Sequence, residues 1–226
     1  LSVGNEVKVL VPPARVQPGK REKIAILYRD SDYVIANKPS GILSCGKSSS
    51  LEAILRRQLK APDLQAVHRL DRETSGCLMF AFSEAAKERM VECFRAKAIT
   101  KVYHAIVHEH MERGVRKITK PLGGQTAISN VRVLDSDRKA SHVAVSIETG
   151  RTHQIRIHLA SAKHPVLGDR KYAGGIHLEN TLAEIPRQML HAYELRFKHP
   201  VTDVSIKARA PLPGDFRDCL KTYRLT

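Results

Sequence analysis

The chain contains no tryptophan, and aromatic residues make up only 5% of its 226 positions. A long track of aromatic side chains on which single-stranded bases stack is therefore not expected. Long hydrophobic runs are missing as well, because no window approaches the roughly 18 consecutive apolar residues that a membrane-spanning helix needs. The sequence thus excludes an integral membrane protein, and it predicts no membrane partner.

Cysteine is scarce, and the four residues Cys45, Cys77, Cys93 and Cys219 show no paired spacing. Disulfide frameworks and cysteine zinc sites depend on such spacing, so neither is predicted. Cys77 lies in an apolar run and Cys93 on an apolar helical face, which is typical of reduced core thiols. An intracellular and mainly cytoplasmic location is expected, with the nucleus or an organelle left open. Because the chain begins with Leu1, a targeting signal upstream would not be visible.

Acidic residues are outnumbered, with 23 Asp and Glu against 38 Lys and Arg and a formal net charge of +15. An excess of this size favours a polyanionic partner, above all a nucleic acid. Charge alone leaves open a merely basic protein or one that binds an anionic membrane surface, although no long basic amphipathic helix supports the latter. Recognition would rest on phosphate contacts and shape, with perhaps one base drawn into a pocket.

The length and the distribution of proline indicate how the chain is divided. A chain of 226 residues can bury one sizeable core. Three prolines, a glycine and several basic residues between positions 12 and 23 are typical of a linker. The sequence predicts an N-terminal extension and linker over residues 1–23 and one catalytic domain over residues 24–226.

Strand and helix signals follow one another irregularly within residues 24–226. Helices are predicted after Ser50, Ser83 and Thr152, because serine and threonine are favourable N-cap residues. Strand signals outnumber helix signals and show no regular β-α-β alternation. The expected fold class is α+β, a single domain whose mixed, mainly antiparallel β-sheet is flanked by helices and loops.

One stretch carries the clearest chemical signal: His-Arg-Leu-Asp-Arg-Glu-Thr-Ser-Gly at residues 68–76. It places Asp71 between Arg69 and Arg72 in a polar turn that leads into an apolar strand. A carboxylate flanked by arginines stays ionised and can act as a nucleophile. On its own, such a short motif is more typical of a surface ion cluster.

Further blocks occur in a fixed order around this motif. Lys-Val-Tyr-His-Ala at 101–105 and Thr-Gly-Arg-Thr-His-Gln-Ile-Arg-Ile-His-Leu-Ala at 149–160 follow it, and Asn-Lys-Pro-Ser-Gly-Ile-Leu at 37–43 precedes it. The remaining blocks are His-Pro-Val-Leu-Gly-Asp-Arg-Lys-Tyr at 164–172 and Leu-His-Ala-Tyr-Glu-Leu at 190–195. Together they resemble the RluA-type pseudouridine synthases over about residues 24–210.

The resemblance implies an RNA pseudouridine synthase that isomerises uridine in structured RNA, either tRNA or rRNA, without a metal or a cofactor. This reaction breaks the C1′–N1 glycosidic bond, turns the uracil and rejoins it through C5. Residues 1–11 look like the closing strand of an S4-type RNA-binding module, which precedes the catalytic domain in many members of this family. A plain N-terminal extension explains them equally well. A monomer is expected.

The resemblance also implies catalytic roles. Asp71 would attack C1′ or C6, or support elimination through a glycal, and the sequence does not choose among these routes. Arg151 would pair with Asp71, and Tyr103 would pack on the target base as a candidate general base toward a sugar proton. Judged from their surroundings alone, Arg151 is more typical of an exposed loop and Tyr103 of a core.

The residues expected to contact RNA are basic side chains near these motifs. Arg69, in the loop of Asp71, is the strongest candidate by resemblance. Such contacts help to offset the few kcal/mol that extruding a base costs. The full set is Arg69, Arg72, Lys101, Arg156, Arg170 and Lys171.

Two other functions compete with this interpretation. Eleven histidines, among them His104, His108 and His110, suggest a metallohydrolase, but no His-Glu-x-x-His motif or carboxylate cluster accompanies them. A non-catalytic RNA-binding protein would explain the charge and leave the ordered motifs unexplained.

Overall fold

The computed structural model of the protein describes residues 23–173 and 185–226. The expected extension and linker over residues 1–23 lie, apart from residue 23, outside the described residues, so the division into 1–23 and 24–226 stays a prediction. Within the described part, no helix is long and apolar enough to cross a membrane.

Strands dominate the described part of the chain. The strands are β1 (Ile26–Arg29), β2 (Tyr33–Lys38), β3 (Gln65–Ala66), β4 (Ser75–Ala81), β5 (Thr100–His108), β6 (Val115–Ile118), β7 (Ser129–Ser136), β8 (Ala140–Ile147), β9 (Leu190–Lys198) and β10 (Ser205–Arg209). The helices are α1 (Leu51–Leu59), α2 (Glu84–Arg95), α3 (Gln154–Ser161) and α4 (Gly214–Thr222).

These strands form one sheet with the order β1-β2-β4-β9-β5-β8-β7-β6, in which β10 adds to β9 and β3 to β4. All strand pairs are antiparallel except β4 with β9, which run parallel. The predicted α+β fold with a mixed, mainly antiparallel sheet is therefore confirmed.

The central strands β2 and β4 are buried on both faces of the sheet. Alternate residues of a strand point to opposite faces, and Leu78 and Phe80 of β4 accordingly pack in one cluster while Cys77 and Met79 pack in the other. The first cluster includes residues of α1, α3 and α4, and the second includes residues of α2. The apolar run of β4 is thus the centre of the fold, and the motif of Asp71 leads directly into it.

Two of the three predicted helix starts are confirmed. The side chains of Ser50 and Ser83 accept hydrogen bonds from the backbone N–H groups of Ala53 and Ala86. The predicted cap at Thr152 is wrong, because α3 begins at Gln154 after His153, which has a left-handed backbone (φ 54°). This later start changes which arginine of the Gly-Arg-Thr-His-Gln-Ile-Arg block faces inward.

The parallel contact between β4 and β9 places the segments that precede these strands at the same edge of the sheet. Ser75 pairs with His191 and Gly76 pairs with Ala192. Gly76 has φ +110°, and a Cβ atom on it would lie 2.2 Å from the carbonyl oxygen of Ala192. Only glycine fits this close approach, so Gly76 determines how near the loop of Asp71 lies to the start of β9.

We predict that Gly76→Ala lowers the free energy of unfolding by about 3 kcal/mol or more, because backbone strain and a backbone clash add. Denaturant unfolding measures this change. Gly214→Ala is the matched control, since a Cβ atom at Gly214 meets nothing within 4 Å; its expected effect is within about 1 kcal/mol. Equal stabilities of the two variants would contradict the packing described for Gly76.

Candidate active site

A pocket opens at the edge of the sheet where the loop before β4, the strand β5 and the start of α3 meet. Asp71 and Tyr103 both line it, as the sequence predicted for residues of one site. Its lining residues are Arg69, Leu70, Asp71, Thr74, Tyr103, Ile147, Gly150, Arg151, His153, Gln154, Ile155, Arg156 and Leu190.

The half-buried carboxylate of Asp71 has two unequal oxygens. Oδ2 accepts a hydrogen bond of 3.1 Å from Nη1 of Arg156 and one of 3.4 Å from Nε2 of Gln188. Oδ1 lies 3.7 Å from Nε2 of His153, which is too long for a hydrogen bond. Asp71 is therefore held through one oxygen and lines the pocket, and its other oxygen accepts no hydrogen bond from these three groups.

Arg156, the cation beside Asp71, is itself fixed by a second carboxylate. Its Nε and Nη2 donate to Asp169 at 2.6 and 2.8 Å, a bidentate pair. The Asp169 side chain is fully buried and that of Arg156 is only 8% exposed. The two carboxylates, Asp169 and Asp71, hold the pKa of Arg156 above its ordinary value despite burial. A bidentate pair of this kind sets the plane of the guanidinium and so aims its remaining nitrogen at Asp71.

The predicted pairing of Arg151 with Asp71 is wrong in this structure, because Arg156 takes that place. Arg151 is exposed, lines the pocket and directs Nε toward the carbonyl oxygen of Thr126 at 3.4 Å. The physical reason is the start of α3 at Gln154. Arg151 precedes the helix, whereas Arg156 lies in its first turn on the buried side. Each of the three side-chain nitrogens of Arg156 donates to a carboxylate, and its expected role as a phosphate contact stays a prediction.

The side chain of Gln154 fixes this helix start. Its Oε1 accepts hydrogen bonds from the backbone N–H of Arg151 at 3.1 Å and from Thr149 Oγ1 at 2.7 Å. Its Nε2 donates to the carbonyl oxygen of Ile128 at 2.9 Å and to Ser129 Oγ at 3.1 Å. A buried amide with both ends satisfied locks its surroundings, so α3 presents Arg156 to Asp71 in one orientation.

Tyr103 lies in β5 with only 8% of its surface exposed. Burial, and secondarily the charge of Asp71, raises the pKa of its phenol above the ordinary value. The phenol is therefore protonated near neutral pH. In this state it can pack against a base and donate a hydrogen bond, and it accepts a proton only after losing its own.

The other basic residues predicted to contact RNA divide by exposure. Arg69 and Arg170 are exposed, and Arg69 lines the pocket. Arg72 is exposed and donates from Nε to the carbonyl oxygen of Gly41 at 2.9 Å, while the exposed Lys171 lies over the ring of Tyr172. These side chains stay predictions as RNA contacts.

The prediction that Lys101 contacts RNA does not fit its burial, because only 6% of its surface is exposed. Its Nζ lies 5.5 Å from the centroid of the Phe94 ring, on α2, and burial lowers the pKa of the amine. A buried ammonium against an aromatic face stabilises packing and does not reach the phosphates of an RNA.

Lys38 is a site residue that the sequence reasoning did not single out, although it lies in the block at 37–43. It is fully buried, and its Nζ donates to the carbonyl oxygens of Pro39, Ile42 and Arg72 at 2.9, 2.8 and 2.8 Å. Burial lowers the pKa of Lys38 to about 7. Lys38 therefore ties the loop after β2 to the loop of Asp71.

The histidines that suggested a metallohydrolase have other partners. His104 Nδ1 and His142 Nε2 are 2.9 Å apart, and His110 Nδ1 lies 2.9 Å from Ser136 Oγ. Burial lowers the pKa of His104 to about 3, which keeps the ring neutral. Within residues 23–173 and 185–226, no group of three or more His, Cys, Asp or Glu side chains is arranged to hold a metal ion.

The pocket combines a carboxylate fixed by a buried arginine, a buried tyrosine and exposed arginines. This combination suits a catalytic pocket for an anionic substrate. A sequence profile of the RNA pseudouridylate synthase family matches residues 32–161. The chain belongs to this family, and the resemblance inferred from its motifs is confirmed. It is an isomerase that acts on uridine in RNA.

Two relatives of this chain are named as pseudouridine synthases. It is 34% identical over 225 residues to the uncharacterized RNA pseudouridine synthase YhcT of Bacillus subtilis, covering 89% of this chain and 72% of that protein. It is 33% identical over 232 residues to the ribosomal large subunit pseudouridine synthase D of Pseudomonas aeruginosa, covering 89% of this chain and 72% of that protein.

The fold is similar to that of solved structures. Human RNA pseudouridylate synthase domain containing 4 superimposes with a TM-score of 0.75 and 26% identity, covering 89% of this chain and 93% of the human chain. Human RNA pseudouridylate synthase domain containing 1 gives a TM-score of 0.71 at 24% identity, covering 93% and 98% of the two chains, which shows the shared fold.

We predict that Asp169→Asn lowers the free energy of unfolding by about 3 kcal/mol, because it removes one of two counter-charges from a buried arginine. Denaturant unfolding provides the measurement. Asp203→Asn is the matched control, because the Lys198–Asp203 pair is exposed on both sides and such pairs contribute at most about 1 kcal/mol. A loss no larger than in this control would show that Asp169 does not hold Arg156.

Proposed function

We propose that this isomerase converts a uridine of structured RNA, in tRNA or rRNA, to pseudouridine with Asp71 as its essential carboxylate. The observation that carries the proposal is the geometry of Asp71, which lines the pocket, is held through Oδ2 and leaves Oδ1 without a hydrogen bond from Arg156, Gln188 or His153. A carboxylate oxygen without a competing close donor is the atom suited to attack or to support a developing positive charge at C1′.

The bond changes follow from the product. The C1′–N1 bond breaks, the uracil turns within the pocket, and C5 forms the new bond to C1′. The hydrogen of C5 then leaves as a proton, its electron pair restores the C5–C6 double bond, and N1 takes up a proton, so the product is an isomer of the substrate. Nothing in these steps consumes a cofactor. Asp71 supplies the negative charge at the sugar, and the fixed cation Arg156 orients that carboxylate.

Tyr103 packs against the target base in this proposal. Its ring lies in the pocket beside Asp71, and the raised pKa of its phenol makes it a hydrogen-bond donor in the starting state. This favours a packing and orienting role over proton abstraction from the sugar as the first event.

The RNA backbone would lie across the exposed basic side chains around the pocket. Arg69 and Arg151 line the pocket, and Arg170 and Lys171 lie exposed in the loop that carries Asp169. Arg151 thus becomes a proposed RNA contact in place of its predicted partnership with Asp71. Exposed arginines beside a pocket are suited to hold phosphates while a base is extruded.

The ribosomal large subunit name of one relative supports rRNA as the first substrate to test, with tRNA as the alternative. A monomer is proposed as the functional state, and light scattering tests it. The bacterial relatives and four cysteines without a disulfide in the structure support a cytoplasmic location.

We predict that total cellular RNA labelled with tritium at uridine C5 releases tritium to water when it is incubated with the protein and a chelator, without strand cleavage. Asp71→Asn should abolish release, because the variant loses the carboxylate while nearly keeping its size. Asp63→Asn, on an exposed residue, is the matched control and should release tritium at the wild-type rate.

The alternatives give different results in the same assay. A non-catalytic RNA-binding protein would bind the RNA and release no tritium, and a histidine-based hydrolase would cleave strands until the chelator removed its metal. Wild-type release by Asp71→Asn would contradict the proposed role of Asp71 while leaving the isomerase reaction intact.

A further inference from the structure

A short segment before β9 contacts the loop of Asp71. It consists of Arg187 and Gln188, which lie outside the residues 32–161 that the family profile matches. Because β4 and β9 are parallel neighbours, this segment and the Asp71 loop reach the same edge of the sheet. Each of the two residues donates a hydrogen bond to that loop.

Arg187 connects the Asp71 loop to the C-terminal helix. Its side chain is 3% exposed, and Nε and Nη2 donate to Asp215 of α4 at 2.6 and 2.9 Å. Its Nη1 donates to the carbonyl oxygens of Glu73 at 3.1 Å and Leu190 at 3.3 Å, as well as to that of Gln188 at 3.1 Å. One buried guanidinium therefore fixes the backbone of the Asp71 loop and of the segment that carries Gln188.

The backbone of Arg187 is also closely packed against the loop that carries Asp169. Gly168 has φ +75°, and a Cβ atom on it would lie 2.0 Å from the carbonyl oxygen of Arg187. The segment before β9 thus contacts both loops that supply carboxylates to Arg156, and it has little freedom to shift relative to either.

Gln188 directs its amide at the nucleophile. It is 5% exposed, and its Nε2 donates to Thr74 Oγ1 at 2.9 Å and to Asp71 Oδ2 at 3.4 Å. Thr74 belongs to the same loop as Asp71, so the amide is anchored to the loop while it contacts the carboxylate. Arg156 donates a hydrogen bond to the same Oδ2 atom.

We propose that Gln188 is a positioning residue that, with Arg156, holds Oδ2 of Asp71 and so leaves Oδ1 as the reacting oxygen. Arg187 and Asp215 of α4 keep Gln188 in place. The inference rests on the proposed role of Asp71 in isomerisation and adds a determinant of its orientation. A carboxylate restrained by two donors on one oxygen cannot rotate freely, so its other oxygen stays in a fixed direction, which saves reorganisation at the moment of reaction.

Two variants separate positioning of Asp71 from anchoring of the loop. Gln188→Leu removes the donor to both Thr74 and Asp71. Gln188→Glu replaces the donating amide by a carboxylate that can accept a hydrogen bond from the hydroxyl of Thr74, but it places a like charge beside Asp71. Gln65→Leu is the matched control, since the Gln65 amide bonds to Glu84 and Lys87 on the surface.

The test measures single-turnover tritium release from C5-labelled cellular RNA, together with the protein concentration at half-maximal rate and the melting temperature. We expect both Gln188 variants to lower the maximal rate about tenfold or more, the factor that loss of one hydrogen bond to a charged group produces. The concentration for half-maximal rate should change less than threefold, because the RNA contacts are exposed arginines elsewhere. Gln65→Leu should match the wild type in all three measurements.

A second measurement does not depend on activity. In protein labelled with ¹³C at aspartate carboxylates, the Asp71 resonance is the one that disappears in Asp71→Asn. We expect it to move in Gln188→Leu and Gln188→Glu and to stay in place in Gln65→Leu. A wild-type protein that releases no tritium would refute the proposed function, while the ¹³C shift would still decide the contact.

The inference is overturned if either Gln188 variant, folded with a wild-type Asp71 resonance, isomerises RNA at the wild-type rate. It is also overturned if Gln188→Glu is fully active while Gln188→Leu is not, because that pattern assigns Gln188 to anchoring Thr74 alone. A melting temperature that falls in Gln188→Leu but not in Gln188→Glu identifies the loss of the Thr74 bond, and the rate of Gln188→Glu then decides the positioning role.

Discussion

The buried ion chain Asp169–Arg156–Asp71 is the interaction on which the site depends. Two carboxylates share one guanidinium whose side chain is 8% exposed. Removing Arg156 would leave two carboxylates, one of them fully buried, without their shared cation, which is far more costly than losing an exposed pair. These ion pairs therefore fix three segments relative to one another: the loop of Asp71, the first turn of α3 and the loop after it.

The sheet topology makes this meeting possible. Antiparallel hairpins bring together segments that are near in sequence, but the Asp71 loop and the segment before β9 are more than a hundred residues apart. The parallel pairing of β4 and β9 aligns the starts of both strands, and Gly76 allows their backbones to come close. Lys38 on one side and Arg187 on the other then bind carbonyl oxygens of the loop. The backbone of the loop that carries Asp71 is thus held at several points. This suits the proposed role of Asp71, whose carboxylate must keep its orientation when a base displaces water.

Much of the framework could be predicted from the sequence because the signals were local. Serine caps located α1 and α2, and the apolar run after the Asp71 turn located β4. Helix α4 and the edge strand β6 were not predicted, because α4 follows Pro213 without a side-chain cap and β6 is exposed and basic. Asp71 and Tyr103 were assigned to one site through motifs that a family profile confirms as those of RNA pseudouridylate synthases.

The errors concern side-chain direction, which local patterns do not determine. Arg151 and Arg156 belong to one motif, and only the left-handed His153 before α3 decides that Arg156 faces Asp71. Lys101 looked like a surface cation because its burial against Phe94 depends on α2 packing on the sheet. Gln188 and Asp215 could not be found at all, because their contacts with the loop join residues far apart in sequence.

Arg156, and not Arg151, is the cation that holds Asp71. Single-turnover isomerisation by Arg156→Gln and Arg151→Gln, each measured over a series of protein concentrations, tests this assignment most directly. We expect Arg156→Gln to lower the maximal rate at saturating protein, while Arg151→Gln keeps the wild-type maximal rate and weakens only RNA binding. A lowered maximal rate in Arg151→Gln, with a wild-type maximal rate in Arg156→Gln, would contradict the assignment.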